Sequence, residues 1–375
     1  MKKILITGGA GFIGSNLVDK LVKNNYNVTV IDNLSPQIHG DNPKETSHLY
    51  KSILNKVNFI YGDIRNKEDV EKCIGDNEII IHLASETGTG QSMYEISRYV
   101  EVNSYGTSNI LDYLANNKNN VKKIILASSR AVYGEGKYRN AKGDIIFPKK
   151  INIAAIKNND YDFFDNYVEK LFPIPTTEDS QINPTSIYAI TKFNQEQILE
   201  NACYNFKIPF LILRFQNVYG PGQSLNNSYT GIITLFTKQI LKKNKVNIFE
   251  DGLETRDFIY INDVVDSICQ GINNGVNQVL NIGSGTPTTV IDLFKELEKA
   301  LNTKGDYFVS GNHRKGDIRH NYADISMASK ILGFKPKYNL SEGLKEYAKW
   351  AIKQEITIDN YEKSINELKN KDLFI

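Results

Sequence analysis

The sequence predicts an α/β protein: a doubly wound parallel sheet with helices on both faces, joined to a smaller mixed α/β lobe. Three observations predict it. Through about the first two hundred residues, short β-branched runs alternate with longer amphipathic segments. A glycine-rich turn separates the first run from the first amphipathic segment. Beyond residue 217 the rhythm becomes mixed, broken by turns such as YGPGQS, EDGLETRD and GSGTPTT.

Taken in order, KILIT, NVTVID, VNFIYGD, EIIIHLA, KKIILAS and FLILRF read as strands, and most of the segments between them as helices. The first strand runs into GGAGFIGSNLV, which places glycines at 8, 9, 11 and 14 between strand and helix and so contains G-x-G-x-x-G. That context makes the sheet Rossmann-type. Glycine lets the backbone approach a pyrophosphate, and the following helix offers it free N–H groups and a positive dipole end. Asp32 ends the second strand, 18 positions after Gly14, near the offset of about 20 at which an acid accepts hydrogen bonds from the adenosine ribose. An acid there repels a 2′-phosphate, and Asn33 and Leu34 supply no arginine to attract one, so NAD is favoured over NADP. Asp63 ends the third strand and suits either the adenine amino group or the N-cap of RNKEDVEKC. His82 ends the fourth and reads as a packed core histidine.

The fifth strand leads into ASSRAVYGEG, with Ser128 and Ser129 at its end. Residues 137–182 then interrupt the rhythm with a charged, aromatic-containing excursion, read as an inserted flap or as a solvated surface loop. In TSIYAITK, Tyr188 and Lys192 stand four apart on a helix and project from one face. An ammonium beside a phenol stabilises the phenolate and makes it a proton acceptor. These assignments divide the chain into a dinucleotide-binding unit, 1–216, with 137–182 inserted, and a substrate lobe, 217–375. The stretch SEGLKEYAKWAIKQ reads as a closing helix ahead of a charged tail.

Bulk properties narrow the partners. A formal charge of +2 over 375 residues lacks the broad basic footprint of a nucleic-acid binder, and 41% hydrophobic content suffices for a core. Cys73, Cys203 and Cys269 stand too far apart for a disulfide framework or a zinc-ligand set, so no metal is expected. Glycines cut the apolar stretch after MKK to about four residues, short of a signal peptide. No apolar run reaches the roughly 18 residues of a membrane span. The expectation is a cytoplasmic protein without a membrane partner.

The glycine motif, Asp32, the strand-end serines and the Tyr188/Lys192 pair together resemble the extended short-chain dehydrogenase/reductase family, along nearly the whole chain. The resemblance implies that Ser129, Tyr188 and Lys192 are catalytic. For NAD it implies contacts from Gly8, Gly11, Phe12, Ile13, Gly14, Asp32, Asn33, Asp63, Ile64, Ala84, Asn103, Ser128 and Phe215, with Tyr188 and Lys192 beside the nicotinamide. Tyr133 would pack behind the site. A sugar would lie on the loop HLASETGTGQS, where Gly88 and Gly90 leave space and Glu86, Thr89, Gln91 and Ser92 offer hydrogen bonds. Asn217 in RFQNVYGPGQ, Arg256 in EDGLETRDF, and Arg314 with Asp317 in RKGDIRH match the family's contacts to a nucleotide diphosphate. The implied partner is a nucleotide-diphosphate-sugar, and the implied assembly is a homodimer.

Dehydratases of this family carry an Asp-Glu pair directly after the catalytic hydroxyl. Here those positions are Arg130 and Ala131. Eliminating water requires one proton to leave carbon and another to reach the leaving hydroxyl, and neither residue suits that work. Hydride chemistry at one carbinol remains, used reversibly in an epimerase or consumed in a 4-keto-sugar reductase; a noncatalytic NAD-sensing scaffold is a further alternative. Family reductases generally prefer NADPH, so Asp32 favours epimerisation, at C4. The loop wording is similar to the branch that includes the dTDP-L-rhamnose 4-epimerases. Sequence leaves the nucleobase, the sugar and the reacting carbon open.

Overall fold

The computed structural model describes residues 2–148, 155–156, 158–166, 169–225, 227, 229, 231–356 and 361–374, the side chains of 361–364 excepted. Seven parallel strands form the main sheet: β1 (Lys3–Thr7), β2 (Asn27–Asp32), β3 (Asn58–Tyr61), β4 (Ile79–His82), β5 (Lys123–Ser129), β6 (Phe210–Phe215) and β7 (Gln278–Ile282). Their order across the sheet is β7-β6-β5-β4-β1-β2-β3, so the chain starts at β1, winds outward to β3, then crosses back through β4. That reversal opens a crevice at the carboxyl ends of β1 and β4, the place where doubly wound sheets bind ligands.

Side-chain alternation fills both faces of the sheet. Ile4, Ile6, Ile79, Ile81, Ile125, Leu211 and Leu213 point into one core, while Leu5, Ile80, Ile124, Leu126, Phe210 and Ile212 point into the other. Apolar residues at consecutive positions are therefore what these strands require. The first core runs on into the second lobe through Ile248, Phe258, Phe294 and Tyr347, so the two units of the chain share one core. β7 strengthens the join: it lies beyond residue 216 yet pairs with β6, from Gln278↔Leu211 to Ile282↔Phe215.

The second lobe is mixed. Asn217–Tyr219 runs parallel to Thr255–Tyr260, which pairs antiparallel with Pro287–Thr289 and parallel with His320–Asn321; Lys245–Ile248 pairs with Asp306–Val309. The helix predicted in SEGLKEYAKWAIKQ spans Leu340–Ala351 and starts with a capping box between Asn339 and Glu342.

The insert, in its described residues, is a small antiparallel sheet with Lys137–Arg139 between Ile145–Ile146 and Phe172–Ile174. Tyr138, Phe163 and Leu171 pack beneath it. Arg319 pins it to the second lobe, lying 3.7 Å from Asp162 of the insert while bonding Glu250 at 2.9 Å and Asp251 at 2.6 Å. Residues 149–154, 157 and 167–168 lie outside the described residues. Among the described residues, no helix is long and apolar enough to cross a membrane.

Candidate active site

A cavity of about 640 Å³ lies over the carboxyl ends of β1, β2, β4, β5 and β6 and extends into the second lobe. At its dinucleotide end the glycines are sterically required. A Cβ on Gly8, whose φ is +70°, would stand 2.8 Å from the Ala84 backbone, and one on Gly14 would stand 2.5 Å from the Gly8 carbonyl oxygen. The helix Phe12–Lys23 begins after Gly11 with no side-chain cap on its first N–H groups, which suits an approaching pyrophosphate. Asp32 accepts the Ala10 and Leu34 backbone N–H groups, each at 2.9 Å, one on each carboxylate oxygen. Burial raises its pKa and these amides oppose the rise. Each oxygen retains a lone pair for a ribose hydroxyl. The residues present thus fit NAD.

Asp63 accepts from Asn33 at 2.9 Å and from Arg65 at 2.8 Å. Burial alone would raise its pKa, but the bonds from Arg65 and Asn33 outweigh it and hold the carboxyl below its ordinary value. It does not cap the next helix; Asn66 does, accepting the Glu68 N–H at 2.9 Å. Phe12, Ile13, Ile64, Ala84, Ser128 and Phe215 line the cavity as expected. Asn103 does not. It is fully buried behind the wall, with its oxygen accepting the Glu86 N–H at 2.8 Å and its amide donating to Thr191 at 2.9 Å. Its side-chain polar atoms bond the loop after β4 and the helix Ile187–Phe206.

The three residues expected to be catalytic come from two elements. Ser129 ends β5, where its hydroxyl caps the turn Arg130–Tyr133 by accepting the Ala131 N–H at 3.1 Å. Tyr188 is the second residue of the helix Ile187–Phe206, which Ser186 caps by accepting the Ala189 N–H at 3.2 Å. Tyr188 and Ser129 both line the cavity. Burial raises the phenol, while Ser129 and the charge of Arg130 pull it down. Lys192, one turn further along, is only 3% exposed; burial pulls its ammonium down to about 7, against the attraction of Glu196. Behind them Glu196 holds Ser128 and is gripped by Arg214 at 2.7 Å. Tyr133 packs there too, bonding Asn281 at 2.7 Å and Arg214 at 2.8 Å. His82 is the expected core histidine, between Thr7 at 2.7 Å and Thr107 at 2.8 Å, with burial lowering its pKa to about 3.

At the other end the cavity wall includes Glu86, Thr89, Gln91, Asn217, Arg256, Arg314 and Asp317. Arg256 is braced by three carbonyls, of Thr255 at 2.9 Å, Arg319 at 3.0 Å and Ile318 at 2.6 Å. Arg314 chelates Asp317 at 2.7 and 3.0 Å. Glu86 is held by Arg98 at 2.9 Å, and Gln91 exchanges hydrogen bonds with Gln37 at 3.0 and 3.1 Å. Ser92 is buried and turned to the Thr89 carbonyl at 2.6 Å, away from the cavity. No described residue of the 137–182 insert lines the cavity.

Four contributors escaped sequence reasoning. Ile365 and Leu368 of the terminal helix Tyr361–Asn370 line the cavity, and Glu367 accepts from Tyr94 at 2.9 Å and Tyr229 at 2.6 Å. Arg130 also faces the cavity; the sequence marks it only as a missing acid.

A glycine cradle, a ribose-binding acid and a Ser-Tyr-Lys set over a doubly wound sheet define a dinucleotide-dependent enzyme acting on a carbinol. The chain belongs to the NAD dependent epimerase/dehydratase family, which it matches over residues 4–150 and 166–283. It is 38% identical to dTDP-L-rhamnose 4-epimerase of Burkholderia thailandensis, over 96% of this chain and 97% of that one. It is 33% identical to a putative UDP-glucose 4-epimerase of Methanocaldococcus jannaschii, over 92% and 97% respectively. Among solved structures, UDP-glucose 4-epimerase of Thermotoga maritima with UDP-glucose superposes with a TM-score of 0.74 at 31% identity, covering 94% of this chain and 99% of that one. UDP-glucuronic acid 4-epimerase of Bacillus cereus, in complex with UDP-glucuronic acid and NAD, superposes with a TM-score of 0.75 at 28% identity, covering 93% and 99%.

Proposed function

We propose that the protein inverts C4 of a nucleotide-diphosphate-sugar through a transient 4-keto sugar, with 1–216 holding NAD and 217–375 the nucleotide. The observation that carries this reading is a cavity that joins the Asp32 end to the Arg256 and Arg314 end and has Ser129, Tyr188 and Lys192 on its wall. Tyr188, as phenolate, accepts the proton of the C4 hydroxyl, and Ser129 donates a hydrogen bond to that oxygen. NAD, held by the glycine turn and Asp32, would supply reversible hydride acceptance at C4, and Tyr188 returns the proton to the C4 oxygen when the carbinol is re-formed. Lys192 orients the nicotinamide ribose and favours the phenolate. Asn217, Arg256 and Arg314 hold the diphosphate, arginine being suited to pair two phosphate oxygens at once. Nucleotide contacts must therefore be tight and sugar contacts loose, because a rigidly held ring could not present both faces. Gly88 and Gly90 supply that looseness in the sugar loop.

The relative with 38% identity makes a dTDP-linked 6-deoxyhexose the first substrate to test. The homodimer implied by the resemblance and the cytoplasmic setting expected from the sequence belong to the same proposal; light scattering on the purified protein checks the first and fractionation the second. Incubating the enzyme with dTDP-L-rhamnose, UDP-glucose and UDP-glucuronic acid, and following product stereochemistry by NMR, tests the reading. Inversion at C4 without net consumption of cofactor supports it. Stoichiometric oxidation of added NADH with a 4-keto sugar would select a reductase instead.

A further inference from the structure

Arg130 stands where the sequence offers no acid, and its surroundings are unusual for an arginine. It follows Ser129 in the turn Arg130–Tyr133, on which the helix carrying Tyr188 packs. It is half-buried in the cavity wall, beside Ser129, Tyr188, Arg256 and Asp317. Its guanidinium makes no hydrogen bond and no ion pair among the described residues. The other arginines of this wall are occupied, Arg256 by three carbonyls and Arg314 by Asp317. A desolvated cation without a counter-charge is costly. Retaining one beside a phenol is favourable if negative charge forms there during turnover.

We propose that Arg130 is a positioning residue for the reaction, a permanent positive charge that works with Lys192 to stabilise the Tyr188 phenolate. This inference rests on the reading of Tyr188 as the proton acceptor. The groups around the phenol are few. Lys192 lies on its own helix, Arg130 on the turn after β5, and Tyr99 meets it edge-on with ring centroids 6.5 Å apart. Beyond Tyr99 stand Glu86, Glu95 and Arg98, tied in ion pairs, with Arg98 at 2.9 Å from Glu86 and 2.8 Å from Glu95. Arg130 itself is faced by Arg256, Asp317 and Glu135. Glu135 is engaged by the Arg319 backbone N–H at 2.7 Å, and Asp317 by Arg314. Burial pulls the Arg130 guanidinium down to about 10, so it stays charged through neutral pH, whereas Lys192 at about 7 is only partly charged there. An acid at position 130 would reverse the sign of this field and oppose the phenolate.

The test compares Arg130→Met and Arg130→Lys with wild type in the NAD-loaded enzyme, recording kcat and KM across pH alongside Tyr188→Phe. If the inference holds, Arg130→Met moves the acid limb of kcat upward by about one pH unit and lowers turnover at pH 7 by about tenfold, with KM changed by less than about threefold. Arg130→Lys returns the limb most of the way. An unmoved acid limb overturns the inference, whether KM rises, which would make Arg130 a ligand of the substrate's anionic oxygen, or turnover merely declines, which would make it a packing residue. Should Arg130→Met fail to fold, Arg130→Gln and ultraviolet difference titration of Tyr188 against Tyr188→Phe give the same reading, an upward shift in the phenol pKa supporting the inference and none overturning it. Full turnover in Tyr188→Phe would overturn the proton-acceptor reading and this inference with it; an inactive Tyr188→Phe with an unmoved Arg130→Met profile overturns this inference alone.

Discussion

Replacing Gly14 by alanine should damage NAD binding sharply, and more than the same change at Gly11. The new Cβ would stand 2.5 Å from the Gly8 carbonyl oxygen, 2.6 Å from the Gly9 Cα and 2.7 Å from the Gly9 carbonyl carbon. All are backbone atoms, so no side chain can rotate away. The helix cannot yield either, because Leu17, Val18 and Leu21 anchor it in the core at 0% exposure. The glycine loop must therefore move, in the segment that would lie under the pyrophosphate. Overpacking of this kind costs roughly 1–3 kcal/mol, and about 1.4 kcal/mol is tenfold in a dissociation constant. NAD affinity should fall by about tenfold or more, with a lowered Tm. Gly11→Ala is the internal control: its Cβ meets only the Gly8 oxygen, at 3.3 Å, and its φ of −73° suits any residue. Calorimetric titration with NAD and thermal denaturation of both variants read the effect. Wild-type affinity and Tm in Gly14→Ala, or a larger Tm loss in Gly11→Ala, would refute the steric argument.

Three further outcomes follow from the site. Tyr188→Phe should lower turnover by about 10²-fold or more while leaving NAD bound, as loss of a proton acceptor requires; steady-state rates and the absorbance of released nucleotide check it, and near-normal turnover contradicts it. Asp32→Ala should weaken NAD more than NADP, because the lost carboxylate both binds the ribose and repels a 2′-phosphate; equal losses in a binding titration count against that. His82 is held neutral, its pKa lowered by burial from 6.5 to about 3, so its contribution to stability is present above pH 6.5 and is lost as pH falls below it. Glu135, raised by burial to about 7, acts in the opposite sense over the same range, so the His82 share is read by difference: His82→Gln should have a lower Tm at pH 7.5 but lose less of it between pH 7 and 5 than wild type, and parallel curves would contradict the assignment.

Residues whose role follows from local geometry were legible in the sequence. Gly8, Gly11 and Gly14 are spaced by the turn they form, Asp32 by the length of one helix and one strand, and Tyr188 and Lys192 by one helical turn. Features that depend on distant partners were not legible. QVLNI is short and half polar, and becomes strand β7 only because β6 offers it an edge. The terminal helix reads as a charged tail, since its few apolar residues count only once Leu368 meets the Arg314 loop near Gly90. Asn103 matches a contact by position, yet Thr191 and Glu86 claim its amide. For Arg130 the residue type was plain, but its lack of an ion pair or hydrogen bond among the described residues exists only in three dimensions.

The central claim is hydride transfer at C4 without loss of water. It is tested most directly by supplying the turned-over nucleotide-sugar with deuterium at C4, and separately unlabelled in D₂O, and reading the products by proton NMR. The account predicts inverted C4 stereochemistry with the C4 deuterium retained, no exchange into water or free cofactor, and no solvent deuterium at C5. Solvent deuterium at C5, or a label moved from C4 to C6 in a 6-deoxy-4-keto product, would contradict it and show that Arg130 and Ala131 do not exclude elimination.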